Sequence, residues 1–479
     1  MSARSRFLAE FPRAIADDAA AVFIGAGVSA SAGYPSWKDL LRDIGDELGV
    51  SSDDVHDLAA LAQWSVGRTS SRTRVNNVIR AEIAPDRPIP PSLGTIARLP
   101  IRNIWTTNYD RLIERAFAEI GRPIDPISAA ADLALKPRPG AARLFKMHGS
   151  VDRLDDIVIA TDDYELYRLK RGAFLPLLQA HMTSLSMLFM GLSFTDPNVR
   201  HVLSLIRESF AASPPEHFAI VRPPQRCDYK TAKEYKARLT QHKLWAEDLL
   251  RYGLQVVEIE RYEEVAELLR EVERRVASNR VWISGSWPLT GGSPDDLAYV
   301  AAVAAALGRE LGQHDFVLVS GAGLTVGSAS ISGFLGALQR KGSWDLERRL
   351  IARPFPQPVE GQVPNREQWA ALRAEMARIA GAIVFVGGAK IEGGNIVAAN
   401  GVRAELEAAL AAGAFLVPIG STGGMAKLIA EELLDARGSG RQLAPRPSKQ
   451  DLRTLMRPGE PEAMAKKVIS LLVRHGRGN

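Results

Sequence analysis

Four short clusters in this chain hold residue types suited to gripping a phosphate-bearing ligand and moving a proton. The first is Gly25-Ala26-Gly27-Val28-Ser29, which with Ala30 fits G-x-G-x-x-A. Glycines at that spacing let a backbone come close to a pyrophosphate, and a helix that follows aims its N–H groups at the anion. The second is Asn108-Tyr109-Asp110, the third His148-Gly149, and the fourth Gly191-Leu192-Ser193 running on to Asp196-Pro197. Amides and carboxylates hold hydroxyl groups, and a histidine takes or gives a proton near neutral pH. Each cluster also has a plain structural reading. The glycine motif alone fits a tight turn with no ligand as well as it fits a nucleotide site. Asn108 and Asp110 stand where turn formers or helix caps would stand, Ser29 could be an N-cap, and a lone histidine after a strand is commonly structural.

The elements around these clusters read as a sheet. Ala21-Val-Phe-Ile24, Asn103–Thr107, Arg143–Met147, Ser186–Met190, His217–Val221 and Leu254–Ile259 are short apolar, β-branched or aromatic runs, and so read as buried strands. The four clusters fall just past the C-terminal ends of the first four. In an open parallel sheet those ends line one crevice, where ligands bind. Residues 1–20 read as an amphipathic helix, Trp37–Leu48 has helical periodicity, and residues 38–98 are mostly helical until Asp86-Arg-Pro-Ile-Pro-Pro91 breaks the pattern. A helix over Tyr262–Val276 closes this part. At Arg280 the pattern restarts, with strands at Arg280–Ser286, within His314–Gly323, at Ala382–Gly388 and at Ala414–Gly420, separated by alanine-rich helices. The expected fold is therefore α/β, two doubly wound Rossmann-like domains covering 1–278 and 279–479. A long loop is expected from Arg353-Pro-Phe-Pro-Gln-Pro358 to Asn365, and a loop-like stretch from about Gly438 to Arg457 before a final helix.

Bulk composition narrows the class. A chain of 479 residues exceeds one ordinary core, and 46% hydrophobic with 24% charged residues is a globular balance. The net charge of +5 comes without a Lys/Arg run long enough to make a nucleic-acid arm. Cys227 is the one cysteine, so an intramolecular disulfide and a Cys-x-x-Cys zinc site are excluded and no metal is expected. No apolar run has membrane-spanning length and no apolar signal core is seen, so a cytoplasmic protein without membrane or nucleic-acid partners is the simplest expectation.

Gly25-Ala-Gly-Val-Ser29, Thr106-Thr-Asn-Tyr-Asp110, Met147-His-Gly149 and Gly191-Leu-Ser-Phe-Thr-Asp-Pro197, in that order, resemble the sirtuin NAD-binding fold over roughly residues 10–260. The resemblance implies NAD as substrate and cleavage of its nicotinamide–ribose bond. It implies that Gly25, Ala26, Gly27 and Ser29 lie on the pyrophosphate, that Asn108 and Asp110 fall in the nicotinamide-ribose pocket, that His148 is the catalytic histidine, and that Gly191 and Ser193 lie near the adenosine. Departure of nicotinamide leaves an oxocarbenium-like sugar; Asn108 would orient the ribose or a water, and His148 would take the proton. Protein-deacylating sirtuins carry four zinc-binding cysteines, which this chain lacks, and Tyr34-Pro-Ser-Trp37 stands where they have Pro-Asp-Phe-Arg. Water is then the expected acceptor and NAD hydrolysis the expected reaction. A protein deacylase and a non-catalytic nucleotide-sensing scaffold are the alternatives.

The second half resembles the SLOG family of nucleotide binders. Ser284-Gly285-Ser286 and Gly321-Ala-Gly323 sit at strand ends, and Gly387-Gly-Ala-Lys390, Gly393-Gly-Asn395 and Glu405 follow. Phosphoribohydrolase relatives carry Pro-Gly-Gly-x-Gly-Thr; here the proline is missing, which favours a sensor over a second enzyme. A sirtuin-like domain followed by a SLOG domain is similar to the effectors of Thoeris anti-phage systems. That likeness implies a cyclic ADP-ribose isomer, made by a TIR-domain partner, bound by Ser284, Gly285, Ser286, Gly323, Arg373, Lys390, Asn395 and Glu405, and self-association as a tetramer or higher oligomer. Arg353 and Arg366 are alternatives to Arg373.

Overall fold

The computed structural model describes residues 2–476 except 53–54, 56, 193, 195–196, 210–215, 343–345, 357–364 and 436–444. The chain divides into two compact units, Met1–Glu273 and Arg274–Asn479. In the first, β1 (Ala20–Ile24), β2 (Asn103–Thr106), β3 (Ile124–Ile127), β4 (Ala142–Lys146), β5 (Ser186–Met190), β6 (His217–Val221) and β7 (Leu254–Glu258) form one sheet in the order β3-β4-β2-β1-β5-β6-β7. Every described pairing in it is parallel. All five residues of β1 are buried, as a strand covered on both faces must be. From β1 the chain moves outward through β2 to the edge strand β3, returns inward to β4 between them, then crosses to start β5 on the other side of β1. The C-terminal ends of β1 and β5 are thus the topological switch point, where a doubly wound sheet opens a crevice.

The second unit repeats the plan. β8 (Arg280–Ser286), β9 (Val317–Ser320), β10 (Leu350–Ala352), β11 (Ala382–Gly387) and β14 (Phe415–Ile419) form a parallel sheet in the order β10-β9-β8-β11-β14, with its switch point between β8 and β11. The helix Pro294–Gln313 packs Val303, Leu307 and Leu311 on this sheet, and Phe334 and Leu338 of the helix Val326–Lys341 join the same core.

The architecture is the expected α/β pair of doubly wound domains, with local differences. β3 reads Ile-Asp-Pro-Ile; its proline lacks an N–H and its alternation is weak, but at the sheet edge neither matters. β10, three residues long, is the other unanticipated edge strand. The glycine-rich stretch after β11 forms a hairpin that the sequence reading did not include: β12 (Ala389–Glu392) pairs antiparallel with β13 (Asn395–Ala398). Gly393 and Gly394, with φ of +59° and +81°, make its two-residue turn. The stretch expected as loop before the last helix contains the helix Lys449–Leu455, capped by Ser448, whose Oγ accepts the Asp451 N–H at 3.1 Å. Of the two expected loops, residues 357–364 and 438–444 lie outside the described residues.

Candidate active site and nucleotide crevice

At the first switch point the glycine turn meets the end of β5. A Cβ on Gly25 would stand 2.4 Å from the Gly191 carbonyl oxygen, and Gly191 itself has φ +65°. Only glycine lets these backbones pass so closely. The Gly27 N–H donates to Gly191 O at 2.9 Å and the Val28 N–H to Gly25 O at 3.1 Å. These two bonds brace the turn and hold it against the end of β5. The helix that follows directly is the short Ala26–Ser31, and its N-cap is Gly25, so Ser29 is not a cap. Ala26 is exposed beside it. Ser193 lies outside the described residues.

Ser29, Asn108 and Asp110 form one buried polar cluster. Ser29 Oγ donates to Asp110 Oδ2 at 2.5 Å and accepts from Asn108 Nδ2 at 2.8 Å. Asn108 Nδ2 also donates to Gly25 O at 3.0 Å. A carbonyl only accepts, so that contact turns Nδ2 toward β1 and leaves Oδ1 on the other side. Asn108 Oδ1 is buried with no hydrogen-bond partner among the described residues. An orphaned buried acceptor costs free energy that a ligand hydroxyl or a water would recover. Asp110 does cap as well: its Oδ1 accepts the Leu112 N–H at 2.9 Å, where a helix starts. The structural and the functional readings of this residue are compatible.

His148 follows β4, the neighbour of β2, so the sheet brings it to the same end as Asn108. Its backbone carbonyl accepts the Val158 N–H at 2.9 Å. The imidazole is buried and set edge-to-face with Tyr164, centroids 5.6 Å apart at 83°, and more loosely with Tyr167 at 6.5 Å. Trp37 packs 6.5 Å from Tyr164 on its far side. Lys146, missed by motif reading because it lies within a strand, is buried at 1% exposure. Its Nζ donates to Asp110 O at 2.5 Å and to Glu114 Oε1 at 2.8 Å, tying β4 to the loop that carries Asn108.

The helix Thr161–Glu165, which carries Tyr164, is held by Asp163. Arg72 reaches both Asp163 oxygens at 2.7 and 2.8 Å, and the Ile159 and Ala160 N–H groups donate to Oδ2. Burial alone would raise the Asp163 carboxyl, but Arg72 and those N–H groups outweigh it and hold it below its ordinary value. Arg72→Met is expected to cost about 2–4 kcal/mol, because it strands a buried carboxylate. Adding Asp163→Asn should return part of that loss, since the amide oxygen still accepts both N–H bonds. Thermal unfolding of the two variants checks this; equal melting temperatures for Arg72→Met and the parent would contradict it.

In the second unit Ser284, Arg373 and Glu405 come together. Ser284 Oγ donates to Glu405 Oε2 at 2.5 Å, and Arg373 Nε lies 3.9 Å from Glu405 Oε1. Glu405 is a buried partner, not the surface charge its helix position allowed. Gly285 permits the β8–β11 approach: a Cβ there would stand 1.9 Å from Val386 O. Ser286 Oγ donates to Ala389 O at 3.0 Å and so anchors the hairpin root. Gly323 is exposed beyond β9. Lys390 and Asn395 stand on the hairpin, Lys390 paired with Glu392 at 2.8 Å. Of the alternative arginines, Arg353 pairs with Glu375 at 3.0 Å and Arg366 is exposed at the start of its helix.

Burial pushes the Glu405 carboxyl up to about 7, against the opposing pull of Ser284 and Arg373. Between its ordinary value of 4.5 and about 7 the folded chain keeps a proton that the unfolded chain has lost. Stability therefore falls as pH rises through that window, by up to about 3 kcal/mol, and levels off above it. Glu405→Gln should remove this slope and be the more stable form at pH 8. Denaturant unfolding of the full chain at pH 5 and pH 8 tests it; an unchanged slope in the variant would contradict it.

Among the described residues no three His, Cys, Asp or Glu side chains are grouped to hold a metal ion, and no helix is long and apolar enough to cross a membrane.

A sheet with a glycine turn at its switch point and a buried asparagine and a histidine past the ends of the neighbouring strands, followed by a second nucleotide-type unit, defines a sirtuin-like protein with a SLOG partner domain. The SIR2-like domain model matches residues 102–249, and that of the Sir2- and TIR-associating SLOG family matches residues 264–475. The NAD(+) hydrolase ThsA of Bacillus cereus (strain MSX-D12) is 34% identical over 88% of this chain and 87% of its own length. The ThsA of Enterococcus faecium is 30% identical over 96% and 97%. Defense-associated sirtuin 2 of Bacillus subtilis is 25% identical over 45% of this chain and 22% of its own length. The chain belongs to the ThsA family of NAD(+) hydrolases.

Proposed function

We propose that the chain hydrolyses NAD to nicotinamide and ADP-ribose at the Asn108–His148 end of the first sheet, and that a cyclic ADP-ribose isomer in the second unit switches this on. The observation that carries the catalytic half is the buried Asn108 amide, its nitrogen committed and its oxygen without a hydrogen-bond partner among the described residues, just past β2, the strand that neighbours the one leading to His148. Asn108 Oδ1 accepts from a ribose hydroxyl or from the attacking water. The C1′–N bond breaks with its electron pair staying on nicotinamide, water adds at C1′, and the proton that water loses passes to His148 and then to solvent. Ser29 and Asp110 keep Asn108 in place. We assign 1–278 to this reaction and 279–479 to sensing, with Ser284, Arg373 and Glu405 as the centre of the effector site and Lys390 at its margin.

Family membership supports a role in anti-phage defence by NAD depletion, with a TIR-domain enzyme supplying the effector, self-association as a tetramer or higher, and a cytoplasmic setting. The rival deacylase reading is separated by measuring nicotinamide release with and without an acylated peptide. Hydrolysis is independent of peptide; release that appears only with peptide, together with deacylated product, would overturn it.

A further inference from the structure

Arg373 and Glu405 are neighbours that do not bond. The 3.9 Å between Nε and Oε1 is an ion pair but exceeds a hydrogen bond, and Nε is buried with no hydrogen-bond partner among the described residues. A guanidinium this close to a carboxyl would ordinarily close to a fork of short bonds. Two aromatic rings hold it elsewhere. The Arg373 guanidinium carbon lies 5.1 Å from the centroid of Phe355 and 5.7 Å from that of Trp369, and those rings meet edge-to-face at 6.1 Å. The corner is braced: Trp369 Nε1 donates to Pro356 O at 2.9 Å, and Phe355 sits against Gly321, where a Cβ would come within 2.7 Å of its ring.

We propose that Phe355 and Trp369 are positioning residues that hold Arg373 off Glu405, so that the gap between them receives a sugar hydroxyl of the effector. A hydroxyl fits because it accepts from Nε and donates to Oε1 when Glu405 is ionised, and can accept from the carboxyl when it is protonated, whereas a phosphate oxygen suits only the protonated form. Arg373 on this account reads ribose, not phosphate. Holding the slot open in advance removes a reorganisation step from binding. The inference rests on the effector reading of this crevice given above.

The test uses the full chain, with calorimetric binding of cyclic ADP-ribose isomers and nicotinamide release as parallel readouts. Both aromatic residues are only partly buried, so leucine is tolerated there. Trp369→Leu should raise the dissociation constant about fivefold, and the Phe355→Leu/Trp369→Leu pair on the order of twentyfold or more. Trp369→Phe, which keeps an aromatic face, should restore most of the affinity, and turnover at saturating effector should match the parent throughout. The 2′- or 3′-deoxyribose analogue that lacks the bridging hydroxyl should bind more weakly to the parent and lose less between parent and Trp369→Leu. Parent-like affinity in the double variant, or failure of Trp369→Phe to recover binding lost in Trp369→Leu, overturns the clamp while Arg373→Ala still reports on the site. If Arg373→Ala binds every isomer like the parent, the effector reading falls and the clamp with it.

Discussion

His148→Ala is expected to lower NAD turnover by about 10²–10⁴-fold, or about 3–5 kcal/mol, with the fold intact. The size follows from removing a positioned proton acceptor while Asn108 and the bound substrate stay in place. The fold survives because the bond from the Val158 N–H to the His148 backbone carbonyl is one that alanine retains. The side chain's other described neighbours, Tyr164 and Tyr167, are anchored independently: the helix of Tyr164 through Asp163, and Tyr167 through its hydroxyl, which donates to Met147 O at 3.2 Å. Nicotinamide release at saturating effector, beside a thermal melt, is the check. A folded variant that turns over NAD at the parent rate would remove His148 from the reaction.

Arg373→Ala is expected to raise the effector concentration for half-maximal activation about 30- to 100-fold while leaving the saturated rate nearly unchanged. It deletes the guanidinium beside the buried Glu405, so the effector loses a charge-assisted bond made away from bulk water. Lys390→Ala should do less, a few-fold at most, because Lys390 is partly exposed on the hairpin and already paired with Glu392. His148→Ala gives the reverse pattern, with effector bound and nicotinamide not released. An effector can act only through its differential affinity for the active and inactive states, so this separation of binding from turnover is what regulation requires. If Arg373→Ala loses saturated turnover yet binds effector normally, the division between sensing and catalysis fails.

What the sequence revealed follows a physical divide. Buried parallel strands have apolar centres, so β1, β2, β4 and β5 and the polar clusters past their ends were legible without a structure. Partnerships between distant residues were not. Ser284 and Glu405 lie 121 positions apart and Ser29 and Asp110 lie 81 apart, so nothing local marks Ser29 as a hydrogen-bond partner rather than a cap. Lys146 looked like an ordinary strand residue because its value lies in what β2 presents to it. The β12–β13 hairpin was hidden by its glycines, which equally signal a phosphate loop; the cross-strand pair Ile391–Ile396 decides between them. Phe355 and Trp369, on a proline-rich segment and a helix, carry no motif, and only the fold brings both to Arg373.

The central claim is an effector-gated NAD hydrolase, and one measurement addresses it most directly: nicotinamide and ADP-ribose released from NAD by the purified full chain, with no effector and with each cyclic ADP-ribose isomer in turn. The account predicts little release without effector and a large rise with at least one isomer, the two products appearing in equal amounts. Release at the same rate with and without every isomer would contradict the gating, and no release under any of these conditions would contradict the hydrolase itself.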